Sequence, residues 1–471
     1  MRYQLFKTFL LVLLVVSALL GMFYLPRFRV GDTLLRRVNL LSDVQQRDAR
    51  GRIVAETLAD SAEGIVVPEL DASAVEVAEM QFRDSVPEGM IAIEDFADVD
   101  GVDREMDRFY AALDQAQERP VRIAYFGDSF IEGDILTADL RNLLQERYGG
   151  CGVGWMDIAT ATEGFRQTIL HWKKGWIEHN ANDSRGMGFN SDLQGVSGHY
   201  YLPDSMGQII LTGQKRVYPE RLDTAEIATV FYTNDNDLHI SVSINNGPIE
   251  SLQVQQDTLV CAETLPGPIG RIALTAAGQG RLFGIALDGH RGIVLDNFAM
   301  RSSNGWFIKD IPEATLKRFA ELRDYDLIVV HYGLNVASKG VTDYEYYNRR
   351  MSVSLQHLRA CFPRASILIV SVSDRDQRGS DGEMHTLDGI RELVQYQRRM
   401  ASDNQMAFWN LYEAMGGDGS IARMKAEKEA NLDFTHINFA GGRKLARIFF
   451  DVLMNGKESY NRRTSAQQPS H

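Results

Sequence analysis

Residues 121–130 read Val-Arg-Ile-Ala-Tyr-Phe-Gly-Asp-Ser-Phe, and this stretch decides the fold. Val121–Phe126 is rich in β-forming side chains and has the length of one strand. Gly127-Asp128-Ser129 ends it in a tight turn. Beyond the turn, Ile135, Leu136, Leu140, Leu143 and Leu144 recur at helical spacing. A strand, a turn carrying Gly and Ser, and a helix form the opening of an α/β unit. Upstream, Met106–Gln115 reads as a helix that Pro120 stops.

Further along, the strand-then-helix texture returns. Ile293–Phe298, Asp326–Tyr332, Ser366–Val372 and Met406–Leu411 are strand-like. Helical patterns follow at Glu313–Arg323, Tyr344–Cys361 and Leu387–Ser402, and a last helix spans Ala440–Met454. With Val121–Phe126 this predicts an α/β fold with a five-stranded parallel sheet covered on both faces. Between the two α/β stretches the texture differs. Gly, Asn, Asp and Ser punctuate short alternating runs such as Gln208–Leu211, Ala228–Tyr232, His239–Ile244 and Arg271–Leu274. These predict an inserted all-β domain, a sandwich of jelly-roll type.

The bulk properties bound the function. The chain has 471 residues, 44% hydrophobic and 24% charged, the balance of a globular protein with a sizeable core. A formal net charge of -13 argues against a nucleic-acid partner, which would demand a basic face. The three cysteines, Cys151, Cys261 and Cys361, have no metal-ligand spacing. Near the N-terminus, Arg2 and Lys7 precede Phe9–Leu25, a run free of Asp, Glu, Lys and Arg. It reads as an uncleaved membrane anchor, with a cleaved signal peptide as the second reading. The expected organisation is an anchor or signal over 1–26, an acidic spacer over 27–103, and the α/β domain over 104–158 and 293–457. The β-sandwich occupies 159–292, and a polar tail 458–471.

Four pieces could carry chemistry. Ser129 stands at the C-terminal end of the first strand and the start of a helix, where open α/β sheets place their sites. The plain alternative is an N-cap serine. Asp433-Phe-Thr-His436 puts a carboxylate three residues before an imidazole, within reach of its Nδ1–H if the segment turns, which would aim the other nitrogen at Ser129; the plain alternative is an N-cap Asp with a surface His. Gly333-Leu-Asn335 directly follows a strand, and its side-chain amide can donate to an oxyanion. Gly305, in Ser303-Asn-Gly-Trp306, offers a backbone N–H. His385, between Asp381 and Asp388, is a second-choice base.

Taken together these blocks resemble the SGNH (GDSL-like) hydrolases, in that family's chain order. Gly127-Asp128-Ser129-Phe130 resembles the GDSL block with Phe in place of Leu, Gly333-Leu-Asn335 the GxN block, and Asp433-Phe-Thr-His436 the DxxH block. Gly305 matches the glycine block. The resemblance covers roughly residues 105–158 and 292–456. It implies a three-layer flavodoxin-like fold, Ser129 as nucleophile, and His436 as base oriented by Asp433. The oxyanion hole would be the N–H of Ser129, the N–H of Gly305 and the side chain of Asn335. Asp128 and His331, adjoining these blocks, are assigned to substrate binding. No metal or organic cofactor is implied.

Phe408-Trp-Asn-Leu-Tyr-Glu-Ala-Met-Gly-Gly417 is similar to bacterial peptidoglycan O-acetylesterases and their surface-polysaccharide relatives, some of which carry a carbohydrate-binding-like β insertion. Tyr200, Tyr201, Tyr218 and Tyr232 in the insertion could stack on sugars or belong to a core. The implied activity is removal of O-acetyl groups from peptidoglycan or another envelope glycan, on the periplasmic side of the membrane. A glycan O-acetyltransferase with the same triad, a lipase or thioesterase, and a glycan-binding protein on a decayed scaffold are the alternatives. Activity with and without an acceptor sugar separates the first two. The oligomeric state is not legible.

Overall fold

The computed structural model describes residues 86–97, 104–160, 163–183, 188–218 and 221–467, with the short paired segments Arg29–Val30, Thr33–Leu34 and Phe82–Arg83. The chain divides into two units, residues 1–75 and 76–471. In the first, Arg29–Val30 pairs antiparallel with Thr33–Leu34. The apolar run Phe9–Leu25 and most of the expected spacer lie outside the described residues. No helix among the described residues is long and apolar enough to cross a membrane.

In the second unit, the strands of one sheet are β1 (Phe82–Arg83), β2 (Glu94–Asp95), β3 (Pro120–Gly127), β4 (Gly292–Ala299), β5 (Leu327–His331), β6 (Ser366–Val370) and β7 (Ala407–Trp409). Their order is β4-β3-β5-β6-β7-β2-β1. The first five strands in that order run parallel. Counted along the chain from β3, this is the 2-1-3-4-5 order of flavodoxin-like sheets. Every residue of β5 and β6 is buried, as expected of parallel strands covered on both faces.

The expected count of five strands is corrected to seven. β2 pairs antiparallel with β7, and β1 with β2. Part of the stretch read as spacer is therefore sheet edge. The buried Asp95 carboxylate of β2 fixes it there, accepting from the backbone N–H groups of Ala97, Glu105 and Met106.

The helices are α1 (Asp107–Asp114), α2 (Thr137–Tyr148), α3 (Glu313–Leu322), α4 (Glu345–Cys361), α5 (Ile390–Asp403), α6 (Leu411–Ala414), α7 (Ser420–Ala426) and α8 (Phe439–Gln467). One layer packs α8 against α1 and α2; the other packs α3 on α4 and α4 on α5. At the start of α8, Gly442 lets the helix approach the loop after Ser129. A Cβ at this position would lie 1.8 Å from the carbonyl oxygen of Ile135. Gly442→Ala must lever α8 away, and the helix-propensity gain of about 1 kcal/mol does not offset that. A net loss of about 1–3 kcal/mol is expected, read as a lower urea midpoint. An unchanged midpoint would show that α8 yields freely.

Residues 154–288 form a second, nine-stranded sheet, antiparallel throughout. It lies in the chain between β3 and β4. Its long strand His199–Gly213 pairs with Ile169–Asn180 on one side and Arg271–Ala277 on the other, and touches Gly280–Asp288 at Tyr201. The hydrogen-bonded strands thus form one continuous network.

One apolar cluster of this part is its own, around Ile209, Leu274 and Ile285. The other is shared with the α/β part: the Trp155 ring lies tilted 5.1 Å from Phe231 and edge-on 5.5 Å from Phe298. A buried ion cluster crosses the same seam. Arg323, at the end of α3, pairs with Asp296 of β4 and with Asp288 of the second sheet. Residues 76–471 accordingly form one compact unit.

Tyr200, Tyr201 and Tyr232 are buried in these clusters, and the Tyr218 hydroxyl is engaged with Asp139. None of the first three is available to stack on a sugar.

Candidate active site

The parallel strands deliver their C-terminal ends to one edge. β3 ends at Gly127, and Ser129 follows as a half-buried side chain. The next turn is compact. Phe130 N–H donates to Asp128 Oδ1 at 3.0 Å, and Glu132 N–H to the Ser129 carbonyl at 3.4 Å. Gly133 and Asp134 then adopt left-handed backbone, at φ 64° and 63°.

The relay loop precedes α8. Asp433 Oδ1 accepts from the backbone N–H groups of Thr435 and His436, each at 3.1 Å, which folds the loop tightly enough to aim the ring. Asp433 Oδ2 lies 2.7 Å from His436 Nδ1, and His436 Nε2 lies 2.8 Å from Ser129 Oγ. A carboxylate at Nδ1 fixes the tautomer that leaves Nε2 free to accept the serine proton. Partial burial pushes the Asp433 carboxyl up, but hydrogen bonds from the His436 ring and the two backbone N–H groups outweigh it and bring it down to about 2. Asp433 therefore stays ionised wherever an imidazole can act as a base. The side chains of His436 and Asp433 are 33% and 49% exposed, so the relay opens to solvent.

Two of the three expected oxyanion donors, Asn335 and Gly305, are engaged internally. Asn335 Nδ2 donates to Asp128 Oδ2 at 3.2 Å and to the Ser303 carbonyl at 2.8 Å. Gly305 N–H donates to Ser303 Oγ at 3.1 Å. Ser303 thus holds both groups, a role its sequence context did not signal.

Two assignments are corrected. Asp128 and His331, expected to touch substrate, are only 1% and 3% exposed. Asp128 bridges Phe130 and Asn335 from beneath. His331 Nδ1 is hydrogen-bonded to Tyr125 Oη at 3.2 Å, and burial holds its pKa down at about 3, so it stays neutral. Both build the turn; neither faces solvent. His385 sits apart on an exposed hairpin, paired with Asp381 at 2.8 Å.

Burial also raises the Asp128 carboxyl to about 6, against the opposing pull of the Phe130 N–H, His436, Asn335 and the Leu334 N–H. The native protein therefore holds a proton that the unfolded chain, at about 4, releases. Stability contributed here falls as pH rises between about 4 and 6. Asp128→Asn should abolish that slope in urea midpoints. It also sets an amide N–H against the Asn335 amide, so kcat should drop by about ten- to a hundredfold even at alkaline pH. Full activity in Asp128→Asn would separate Asn335 from the chemistry.

Beneath the turn lies a polar cluster that sequence reading missed. Asp134 is fully buried and accepts from Thr137 Oγ1 at 2.6 Å, Thr168 Oγ1 at 3.2 Å and Asn297 Nδ2 at 3.1 Å. It pairs with Arg141 at 2.8 Å and Arg166 at 2.9 Å. Burial alone would raise its pKa, but the two guanidiniums hold it well below the carboxylate range. Arg141 was not marked because it falls on a helix that reads as amphipathic, where charge is normally solvated. No group of three or more His, Cys, Asp or Glu among the described residues could hold a metal ion.

No family model matches the chain, and no curated protein is similar to it. Solved structures are similar. A peptidoglycan O-acetylesterase aligns with a TM-score of 0.63 at 20% identity, over 78% of this chain and 99% of that one. A family two carbohydrate esterase from Cellvibrio japonicus gives a TM-score of 0.26 at 12% identity, over 61% and 99%. A GDSL-like lipase from Parabacteroides merdae gives 0.26 at 13%, over 35% and 74%. The first carries the comparison: over most of its length, this chain shares the fold of a peptidoglycan O-acetylesterase.

Proposed function

We propose that this protein is a serine carbohydrate esterase that removes O-acetyl groups from a cell-envelope glycan, with peptidoglycan as the first candidate. The observation that carries this reading is the continuous relay Asp433–His436–Ser129, at 2.7 and 2.8 Å, on the edge of a flavodoxin-like sheet. The shared fold with a peptidoglycan O-acetylesterase supports the substrate class.

Ser129 Oγ attacks the acetyl carbonyl while His436 Nε2 takes its proton. Asp433 stabilises the imidazolium. The tetrahedral oxyanion is held by the N–H of Ser129, the N–H of Gly305 and the Asn335 amide. To accept it, Gly305 and Asn335 must exchange their Ser303 partners for the substrate oxygen. Collapse breaks the carbon–oxygen bond to the sugar, and His436 returns the proton to the leaving hydroxyl. Water then adds to acetyl-Ser129 with His436 as base, releasing acetate and free serine. Phe9–Leu25 would hold the enzyme at the membrane with its site on the periplasmic side, and the nine-stranded sheet would contribute to holding the polymer.

Acetate release from O-acetylated peptidoglycan, measured with the full-length protein, tests the reading. Release above the spontaneous rate is expected; none would overturn it.

A further inference from the structure

Phe165 is a large aromatic side chain left 60% exposed beside the nucleophile turn. It ends a short 3-10 turn, Glu163–Phe165, which packs against the Glu132–Asp134 turn. A Cβ built on Gly133 would lie 3.1 Å from Phe165 Cβ. Gly133 stands immediately after Glu132, whose N–H is bonded to the Ser129 carbonyl. The Phe165 Cβ therefore lies against a residue four positions beyond the nucleophile in the chain.

A single exposed aromatic is ordinary on a protein surface. This one differs because its backbone is pinned from below. The next residue, Arg166, donates to the carbonyls of Val153 and Trp155 at 2.9 and 3.0 Å, and pairs with the buried Asp134. Its Nε also reaches Thr168 Oγ1 at 3.2 Å. A buried ion pair thus ties the Phe165 segment to the Glu132–Asp134 turn that follows Ser129, while the Phe165 side chain stays largely in water. On the relay loop, Leu432 beside Asp433 is 82% exposed as well. Apolar side chains therefore stand in solvent next to both ends of the relay.

We propose that Phe165 is the stacking platform for the pyranose ring next to the acetyl group, which makes it a specificity-determining residue of the site. This rests on the carbohydrate-esterase reading. A pyranose in chair form presents a face of C–H bonds with its hydroxyls at the rim. That face complements the electron-rich face of a phenyl ring and shields it from water. Gly133 is required by the same arrangement, since any side chain there would press on Phe165. A small acetyl ester has no such face and draws nothing from the ring.

The test has a binding arm and a kinetic arm. In the first, calorimetry measures an O-acetylated disaccharide-peptide from peptidoglycan binding to Ser129→Ala and to Ser129→Ala/Phe165→Ala. Removal of the ring is expected to weaken binding by about tenfold, and Phe165→Trp is expected to retain it. Equal affinity, or no binding to Ser129→Ala at all, overturns the platform. In the second, kcat/KM for the acetylated fragment is divided by kcat/KM for ethyl acetate, both followed as acetate release. This ratio should fall by about tenfold in Phe165→Ala. A parallel fall in both substrates, or no fall in either, assigns Phe165 a structural role or none and overturns the proposal. Failure of the esterase reading is recognised separately, as absence of acetate release by the unmodified protein. The binding arm still decides the platform in that case.

Discussion

Replacing Ser129 by alanine is expected to lower kcat for acetyl-ester hydrolysis by about a thousandfold or more, with KM little changed. The substitution removes one oxygen from a half-buried position and leaves the fold intact. What it removes is the acyl-enzyme route, because no other described nucleophile touches His436 Nε2. The three relay groups act as a unit, so their losses should not add. His436→Ala should cost about as much as Ser129→Ala, and the double variant hardly more than either. Asp433→Asn should cost less than its buried counterparts in other relays. Its carboxylate is half exposed, and water can partly replace it at Nδ1. Steady-state rates with a chromogenic acetyl ester check the set. Undiminished activity in Ser129→Ala would remove Ser129 from the mechanism.

The second large effect is on stability. Asp134→Ala should destabilise the protein by about 3–5 kcal/mol, the usual loss when one partner of a buried ion pair is removed. Among the described residues Asp134 alone pairs with Arg141, which is fully buried, and it also anchors Arg166. Without it, two guanidiniums remain in the interior, and Thr137, Thr168 and Asn297 lose their shared acceptor. The pH dependence has a definite sign. The folded pKa is depressed, so the stabilisation is complete above the unfolded value of about 4 and fades only as pH falls through the lower folded one. Urea midpoints at neutral pH should therefore show the full loss, and the gap between wild type and variant should narrow in strong acid. A loss below about 1 kcal/mol would mean that water reaches the arginines. Because Asp134 lies under the nucleophile turn, the folded fraction of the variant should also be catalytically impaired.

Much of this was legible in the chain, and the physical reason is periodicity. The five parallel strands are near-continuous apolar runs bounded by turn residues, and each was found to within about two residues of its observed ends. Ser129, Asp433 and His436 were legible through the resemblance of their blocks, in chain order, to those of SGNH hydrolases; turn chemistry alone left each open to a plainer reading as a capping residue. The edge strands Phe82–Arg83 and Glu94–Asp95 were not. Segments of two residues have no period, and they exist because Ala407–Phe408 offers an unpaired edge. The side-chain environment of the turn was not legible either. Asp128 and His331 adjoin the right motifs, yet they point inward. Adjacency in sequence gives no direction to a side chain whose strand is covered on both faces. Tyr200 and Tyr201 make the same point. Consecutive residues on one strand face opposite ways, and here each is buried, in different clusters. The ties of Asp134 to Thr168 and Asn297 span 34 and 163 positions, which local pattern cannot report.

The central claim is that Ser129 is a nucleophile made reactive by His436, and covalent capture tests it most directly. The protein is treated with a fluorophosphonate, and the adduct is located by peptide mass mapping. One adduct on Ser129, absent from His436→Ala under the same conditions, is the predicted result. No adduct on Ser129, or labelling that does not depend on His436, would contradict the account.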